Sequence, residues 1–253
     1  MKDTLDNIFY FLKENREYNK QLQIRTYQSM INCDDSTFEK VVSLLYHIAN
    51  TQSQPKIDNL AKFYKKIYLH KKALNSFESF VSLVNPKGVE TKGYKKLYDG
   101  MKNQSGWGEK TSALFSKTIY HFHNSEYPNN LKIWDDVPKK IIESDSFYLP
   151  VDSVIREIFK KINPDKKWSF TSINKTIKEH YKESDIEIWD DLWFWGFISQ
   201  IGSGEKREMK WNLNKYWALR ESDKSPKMIT EIEQKTSEFL KIIKEVRTHN
   251  TLE

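Results

Sequence analysis

The sequence predicts an all-α fold, and three observations carry that prediction. Eight Gly and seven Pro punctuate 253 residues, so breaks are few and long helices are expected. Apolar residues recur mostly three and four positions apart, the period of a helix with one buried face. Thirteen Tyr, fourteen Phe and eight Trp supply large apolar area, which sets the chain apart from a disordered one despite a mean hydropathy of −0.74 and 30% charged residues.

The elements follow in order. Phe38, Val41, Val42, Leu45 and Ile48 form one stripe, with Asp34, Asp35 and Ser36 as candidate N-caps. Leu60, Phe63, Tyr64 and Ile67 form the next, then Leu74, Phe77, Phe80, Val81 and Val84, until Asn85-Pro86-Lys87-Gly88 stops the pattern. Two helical segments follow, one carrying Tyr94, Leu97, Tyr98 and Met101, the other Leu114, Phe115, Thr118, Ile119 and Phe122. The join between them is Gln104-Ser105-Gly106-Trp107-Gly108-Glu109-Lys110-Thr111. From Ser125 to Leu149 the pattern is irregular, with Asp135 or Asp136 ahead of Pro138 as a helix start. Val154, Ile155, Ile158 and Phe159 mark a strongly amphipathic helix, residues 189–217 hold five of the eight Trp, and a last charged helix runs from about Met228 to Val246. The tetrapeptide Ile133-Trp134-Asp135-Asp136 returns as Ile188-Trp189-Asp190-Asp191, which reads as an apolar staple and a cap at two helix entrances rather than a repeat.

Composition excludes several classes. The single Cys33 rules out an intrachain disulfide framework and any four-cysteine zinc or iron–sulfur site. No stretch approaches the ~20 apolar residues of a membrane helix, and the start MKDTLDNIFYFLKENREY is acidic where a signal peptide is basic. The expectation is an intracellular protein, cytoplasmic and nucleoid-associated or nuclear. A net charge of +6 tolerates a polyanionic partner without requiring one. His121 and His123 stand two apart on a helix and do not share a face, so no metal site is expected there.

The chemistry gathers at two places. A tight Gly-x-Gly turn between helices aims backbone N–H groups and the positive end of a helix dipole at one point, where a DNA phosphate is a natural ligand. Gly106 and Gly108 let the backbone turn and approach, while Trp107 is expected at the tip. Lys110 falls in the first turn of the second helix, where the dipole disfavours a cation; a lysine made partly neutral is a nucleophile, and a surface lysine pairing with phosphate is the plainer reading. Asp152, after Pro150-Val151, opens the next amphipathic helix. It serves as an N-cap, and a carboxylate there also suits stabilising positive charge on a sugar.

At these residues the chain resembles the helix-hairpin-helix base-excision DNA glycosylases, the superfamily of endonuclease III and the 8-oxoguanine glycosylases. Gly106-Trp107-Gly108-Glu109-Lys110-Thr111-Ser112-Ala113 is similar to that family's Gly-Val-Gly-x-Lys-Thr-Ala hairpin, and Pro150-Val151-Asp152-Ser153-Val154-Ile155 to its downstream Val-Asp-Thr-His-Val or Ile segment. The likeness covers about Tyr94 to Phe159. Lys110 and Asp152 stand 42 positions apart, which makes the archaeal 8-oxoguanine glycosylases the nearer analogy. The family's frequent Leu-Pro before the hairpin is replaced by Gln104-Ser105, and the cluster cysteines of endonuclease III are missing.

The resemblance implies a two-lobed helical fold. One lobe is expected over residues 32–149, with the hairpin motif at about 91–124, and the other over 1–31 plus 150–253. It implies Lys110 and Asp152 as the catalytic pair facing each other across a cleft, with Gly106, Trp107, Gly108 and Thr111 on DNA. Leu114, one turn beyond Lys110, is expected to face the site, and Asp191 and Trp195, four apart on a Trp-rich helix, to frame a flipped base. The implied activity is removal of a damaged base, such as 8-oxoguanine, from double-stranded DNA, with strand cleavage through a Schiff base. The expected protein is monomeric and needs no dissociable cofactor, iron–sulfur cluster or membrane. Two rivals remain open: a non-catalytic helix-hairpin-helix DNA-binding protein, and a helical interaction module that does not bind DNA.

Overall fold

The computed structural model describes residues 1–32, 34–86, 93–202, 204 and 207–249, and it is predominantly helical. Cys33 and the stretch after Pro86 in the Asn85–Gly88 stop lie outside the described residues. The chain divides into two compact units, one of residues 1–23, 151–181 and 187–253, the other of 24–150 and 182–186. The first unit opens with α1 (Lys2–Glu14), which buries Leu5, Ile8, Phe11 and Leu12 on one face. Helix α2 (Arg16–Met30) begins in the first unit and ends in the second, the division falling at 23/24.

The second unit continues with α3 (Thr37–Ala49), α4 (Ile57–Leu69), a 3-10 turn (Lys71–Asn75) and α5 (Phe77–Val84). Ser36 opens α3 with a complete capping box to Glu39. The expected stripes are largely buried: Val41, Leu45 and Ile48 on α3, with Phe38 and Val42 of that stripe half-buried; Leu60, Phe63, Tyr64 and Ile67 on α4; Phe77, Phe80, Val81 and Val84 on α5. Then α6 (Tyr94–Lys102) and α7 (Glu109–His123) pack together as a helical hairpin.

The expected helix at Pro138 does not form; the described residues 132–152 contain no helix. Its carboxylates cap helices elsewhere instead. Asp136 accepts the Phe77 and Glu78 amides of α5 at 2.8 and 2.9 Å. Asp145 accepts the Tyr94 and Lys95 amides of α6, both at 2.8 Å. Each carboxylate satisfies donors that a helix cannot satisfy for itself. His123 anchors the start of this segment: its Nδ1–H donates to the Ile119 carbonyl at 2.7 Å, and its Nε2 accepts the Ile133 and Trp134 amides at 3.1 and 3.0 Å.

The rest of the first unit holds α8 (Ser153–Ile162), α9 (Phe170–Lys178), α10 (Ile186–Trp189) from its second residue onward, α11 (Leu192–Ile198), α12 (Leu213–Ala218) and α13 (Pro226–His249). Helix α8 buries Val154, Ile155, Ile158, Phe159 and Ile162. Gly196 brings α11 against it, since a Cβ there would fall 2.5 Å from Ile158 Cδ1. One antiparallel hairpin, β1 (Gln200–Ile201) with β2 (Glu208–Met209), interrupts the helices. Nothing in the helical period announced it.

Candidate functional site

In the second unit the site is the turn between α6 and α7. Gly106 takes φ +84, the left-handed region, and a Cβ there would lie 2.8 Å from the Leu60 amide nitrogen of α4. The turn is therefore seated on α4, and only glycine fits the seat. Gln104 fastens it: its Nε2 donates to the Val84 and Gly100 carbonyls at 2.7 and 2.8 Å, while its Oε1 accepts from Lys66 Nζ at 3.0 Å. Burial pushes the Lys66 ammonium below its ordinary value. Gln52 adds a bond from its Nε2 to the Gly106 carbonyl at 3.2 Å. Gln104 thus closes the hairpin with an amide side chain that bonds two helices. Residue type alone gave no sign of that role.

Gly108 behaves differently. It caps α7 in extended conformation, with φ −140, and a Cβ there would meet nothing within 4 Å. The opening turn of α7, whose amides have no partner within the helix, thus begins beside open space. Lys110 stands in that turn, half-buried, and its Nζ donates to Thr51 Oγ1 at 3.0 Å. Leu114, one turn on, is also half-buried, whereas Thr111 is buried.

Trp107 is not at the tip as expected. Its ring is 7% exposed and packs edge-on against Phe63 and Phe115, with centroids 5.4 and 5.8 Å away. Its amide donates to the Gln104 carbonyl at 3.1 Å, closing the turn. A large ring next to a buried seat gains more from the core than from water, so Trp107 anchors the hairpin rather than presenting itself to a ligand.

In the first unit the site is the start of α8. Asp152 Oδ1 accepts the Val154 and Ile155 amides at 2.8 and 3.0 Å, so the residue is an N-cap. Its Oδ2 accepts the indole N–H of Trp193 at 3.0 Å. Trp193, half-buried on α11, stacks on Phe197 with centroids 5.0 Å apart at 14°. Lys215 Nζ lies 5.0 Å from the Phe197 ring centroid. Burial, then repulsion from Arg207, pushes the Lys215 ammonium below its ordinary value, while Asp152 opposes the shift. Arg207 donates to the Ser153 carbonyl at 2.8 Å and to Gln200 Oε1 at 3.1 Å. Trp193, Phe197, Arg207 and Lys215 went unread in the sequence because three separate elements bring them to Asp152.

Asp191 and Trp195 lie elsewhere in the same unit. Trp195 is fully buried, with its ring against Phe11, Tyr18 and Phe194. Asp191 is 3% exposed, accepts from Asn19 Nδ2 and lies 3.4 Å from Arg16 Nε. It belongs to a buried polar seam: Arg16 also pairs with Glu187, and Gln23 Nε2 donates to Asp190 Oδ2 at 2.9 Å. The expected base-framing pair is therefore core. The second Ile-Trp-Asp-Asp segment contributes this seam rather than a side-chain cap, for Asp191 makes none at the start of α11.

His121 and His123 both serve the packing: the ring of His121 stacks on Tyr127 at 4.6 Å and its Nδ1 pairs with the Tyr27 hydroxyl at 2.8 Å. No group of three or more potential metal ligands occurs among the described residues. None of their helices is long and apolar enough to cross a membrane. No protein-family model, curated protein or solved structure matches this chain.

Proposed function

We propose that this chain is a helix-hairpin-helix DNA glycosylase with an associated lyase activity, built as two helical lobes and acting on double-stranded DNA that contains a damaged base, such as 8-oxoguanine. The observation that carries the reading is the hairpin itself. Gly106 is locked on α4 while Gly108 leaves the start of α7 open, with Lys110 in its first turn. That arrangement suits a phosphate on the α7 amides and an amine beside the sugar it belongs to. The Asp152 carboxylate, held by two amides and an indole N–H, suits stabilising the sugar as it becomes cationic.

In the reaction the damaged nucleotide leaves the stack, at a cost of a few kcal/mol that damage lowers. The neutral amine of Lys110 attacks C1′ as the base departs with the bonding pair and takes up a proton. The amine loses its protons, the sugar ring opens and a C1′ imine remains. Removal of a C2′ proton then expels the 3′ phosphate and cuts the strand. No oxidant or reductant enters. Since Asp191 and Trp195 are core, the base is recognised by other residues.

Borohydride trapping on duplex DNA with an 8-oxoguanine or an abasic site tests the proposal. A covalent adduct is expected from the natural chain and none from Lys110→Gln. Two observations favour the non-catalytic rival, the Lys110–Thr51 bond and the capping role of Asp152. That rival predicts salt-dependent duplex binding without adduct or base release, and a protein-interaction module predicts no such binding.

A further inference from the structure

One stretch of the second unit is strongly basic. Residues 56–72 hold six lysines and one aspartate, a net +5. They comprise α4 and the turn after it. Lys62, Lys65, Lys71 and Lys72 are exposed, and among the described residues none of the four forms an ion pair. Aromatic rings border them. Tyr46 and Tyr64 stack face to face at 3.9 Å, Tyr68 meets Phe38 edge-on, and Lys71 Nζ lies 5.0 Å from the Phe38 centroid. Tyr46 and Tyr68 are 40% and 45% exposed, so two phenol hydroxyls stand in the same field of lysines.

A concentration of like charge costs repulsion in the free protein, and an anionic partner relieves it. The face is also joined to the hairpin, because α4 supplies the Leu60 seat under Gly106, the Phe63 ring against Trp107 and the Lys66 bond to Gln104. We infer that Lys62, Lys65, Lys71 and Lys72, with the Tyr46 and Tyr68 hydroxyls, form a second contact surface for the sugar-phosphate backbone of duplex DNA, flanking the segment held at the hairpin. The choice of DNA as the polyanion rests on the function proposed above; the polyanion surface itself rests on charge and exposure. Lysine and tyrosine donors to phosphate position a duplex without reading its sequence, so the surface adds affinity and not lesion preference.

The test measures duplex affinity at a series of salt concentrations for the natural chain and for the fourfold variant Lys62→Ala, Lys65→Ala, Lys71→Ala and Lys72→Ala. Each phosphate contact contributes about 0.9 to the slope of log K against log salt, so loss of about two to four slope units is expected. A control variant replaces the exposed Lys132, Lys139 and Lys140 of the same unit with Ala and should retain the natural slope. A fourfold variant that keeps the natural slope overturns the inference, as does a control that loses as much, since the effect is then general charge. An acidic protein as the true partner gives the first of these outcomes. Trapping separates the two proposals: an adduct with an unchanged slope refutes only the surface, and a reduced slope without any adduct refutes only the enzyme.

Discussion

Gly106 and Gly108 are two residues apart, and the structure predicts opposite consequences for replacing them with alanine. At Gly106 the backbone is left-handed at φ +84, which costs a residue with a Cβ about 1–2 kcal/mol. The new carbon would also lie 2.8 Å from the Leu60 nitrogen and 2.9 Å from its Cδ2, closer than packing tolerates, and such overpacking costs about 1–3 kcal/mol. Alanine restricts the unfolded chain and returns about 0.4–1 kcal/mol. Gly106→Ala should therefore destabilise the protein by about 2–4 kcal/mol, a large share of a typical stability. At Gly108 the backbone is extended and the space is open; the weaker cap and the restricted unfolded chain nearly cancel, leaving a change within about 0.5 kcal/mol. Its methyl group instead stands where a phosphate would approach α7, and duplex affinity should fall about tenfold. Urea denaturation and duplex titration at fixed salt measure the two effects. A Gly106→Ala loss below about 1 kcal/mol would refute the Leu60 seat, and a Gly108→Ala variant that binds like the natural chain would refute phosphate at the hairpin.

Three further outcomes are expected. Trp193→Phe keeps the stack on Phe197 but removes the N–H that Asp152 Oδ2 accepts; base release in single turnover should slow about tenfold with affinity unchanged, a hydrogen bond to a charged group being worth about 1.5–3 kcal/mol. The same change on an Asp152→Asn background should add nothing, and additive losses would show that Trp193 does not act through Asp152. Burial raises the Asp191 carboxyl well above its ordinary 3.8, with Arg16 and Asn19 opposing, so its contribution to stability is full below that value and declines as pH rises through the raised one. Melting temperatures from pH 4 to 8 should show Asp191→Asn gaining on the natural chain as pH rises, and a constant difference would contradict the raised value. Burial lowers His123 from its ordinary 6.5, so the stability it lends is full above 6.5 and is lost as pH falls through the lowered value. Its ring should titrate below 6.5 by NMR, with the Ile133 and Trp134 amides losing exchange protection as it does; titration at or above 6.5 would exclude the acceptor role of Nε2.

Much of the fold was legible because helical periodicity is a local signal. The stripes on α4, α5 and α8 are buried where expected, and on α3 Val41, Leu45 and Ile48 are buried while Phe38 and Val42 are half-buried. The misreadings share a cause: each concerned a partner distant in sequence. Asp136 looked like the cap of a helix beginning at Pro138 and caps α5 instead. Trp107 looked like the tip of a turn until Phe63 and Phe115 gave it a place in the core. Asp191 and Trp195 do share the neighbourhood their four-residue spacing implies, but α1 and α2 fill the space where a base was expected.

The sequence by itself determined the helical class, the hairpin with its two glycines, the lysine in the first turn of α7 and the capping aspartate ahead of α8, because turns, caps and helix faces depend on residues within a few positions of one another. Only the tertiary structure decided which glycine is pressed against a neighbour and which stands open, that Gln104 ties the hairpin to α5 and α6, and that Trp193 rather than Trp195 reaches Asp152. Those are matters of approach between separate elements. A contact of 3 Å across 41 positions leaves no trace in local spacing.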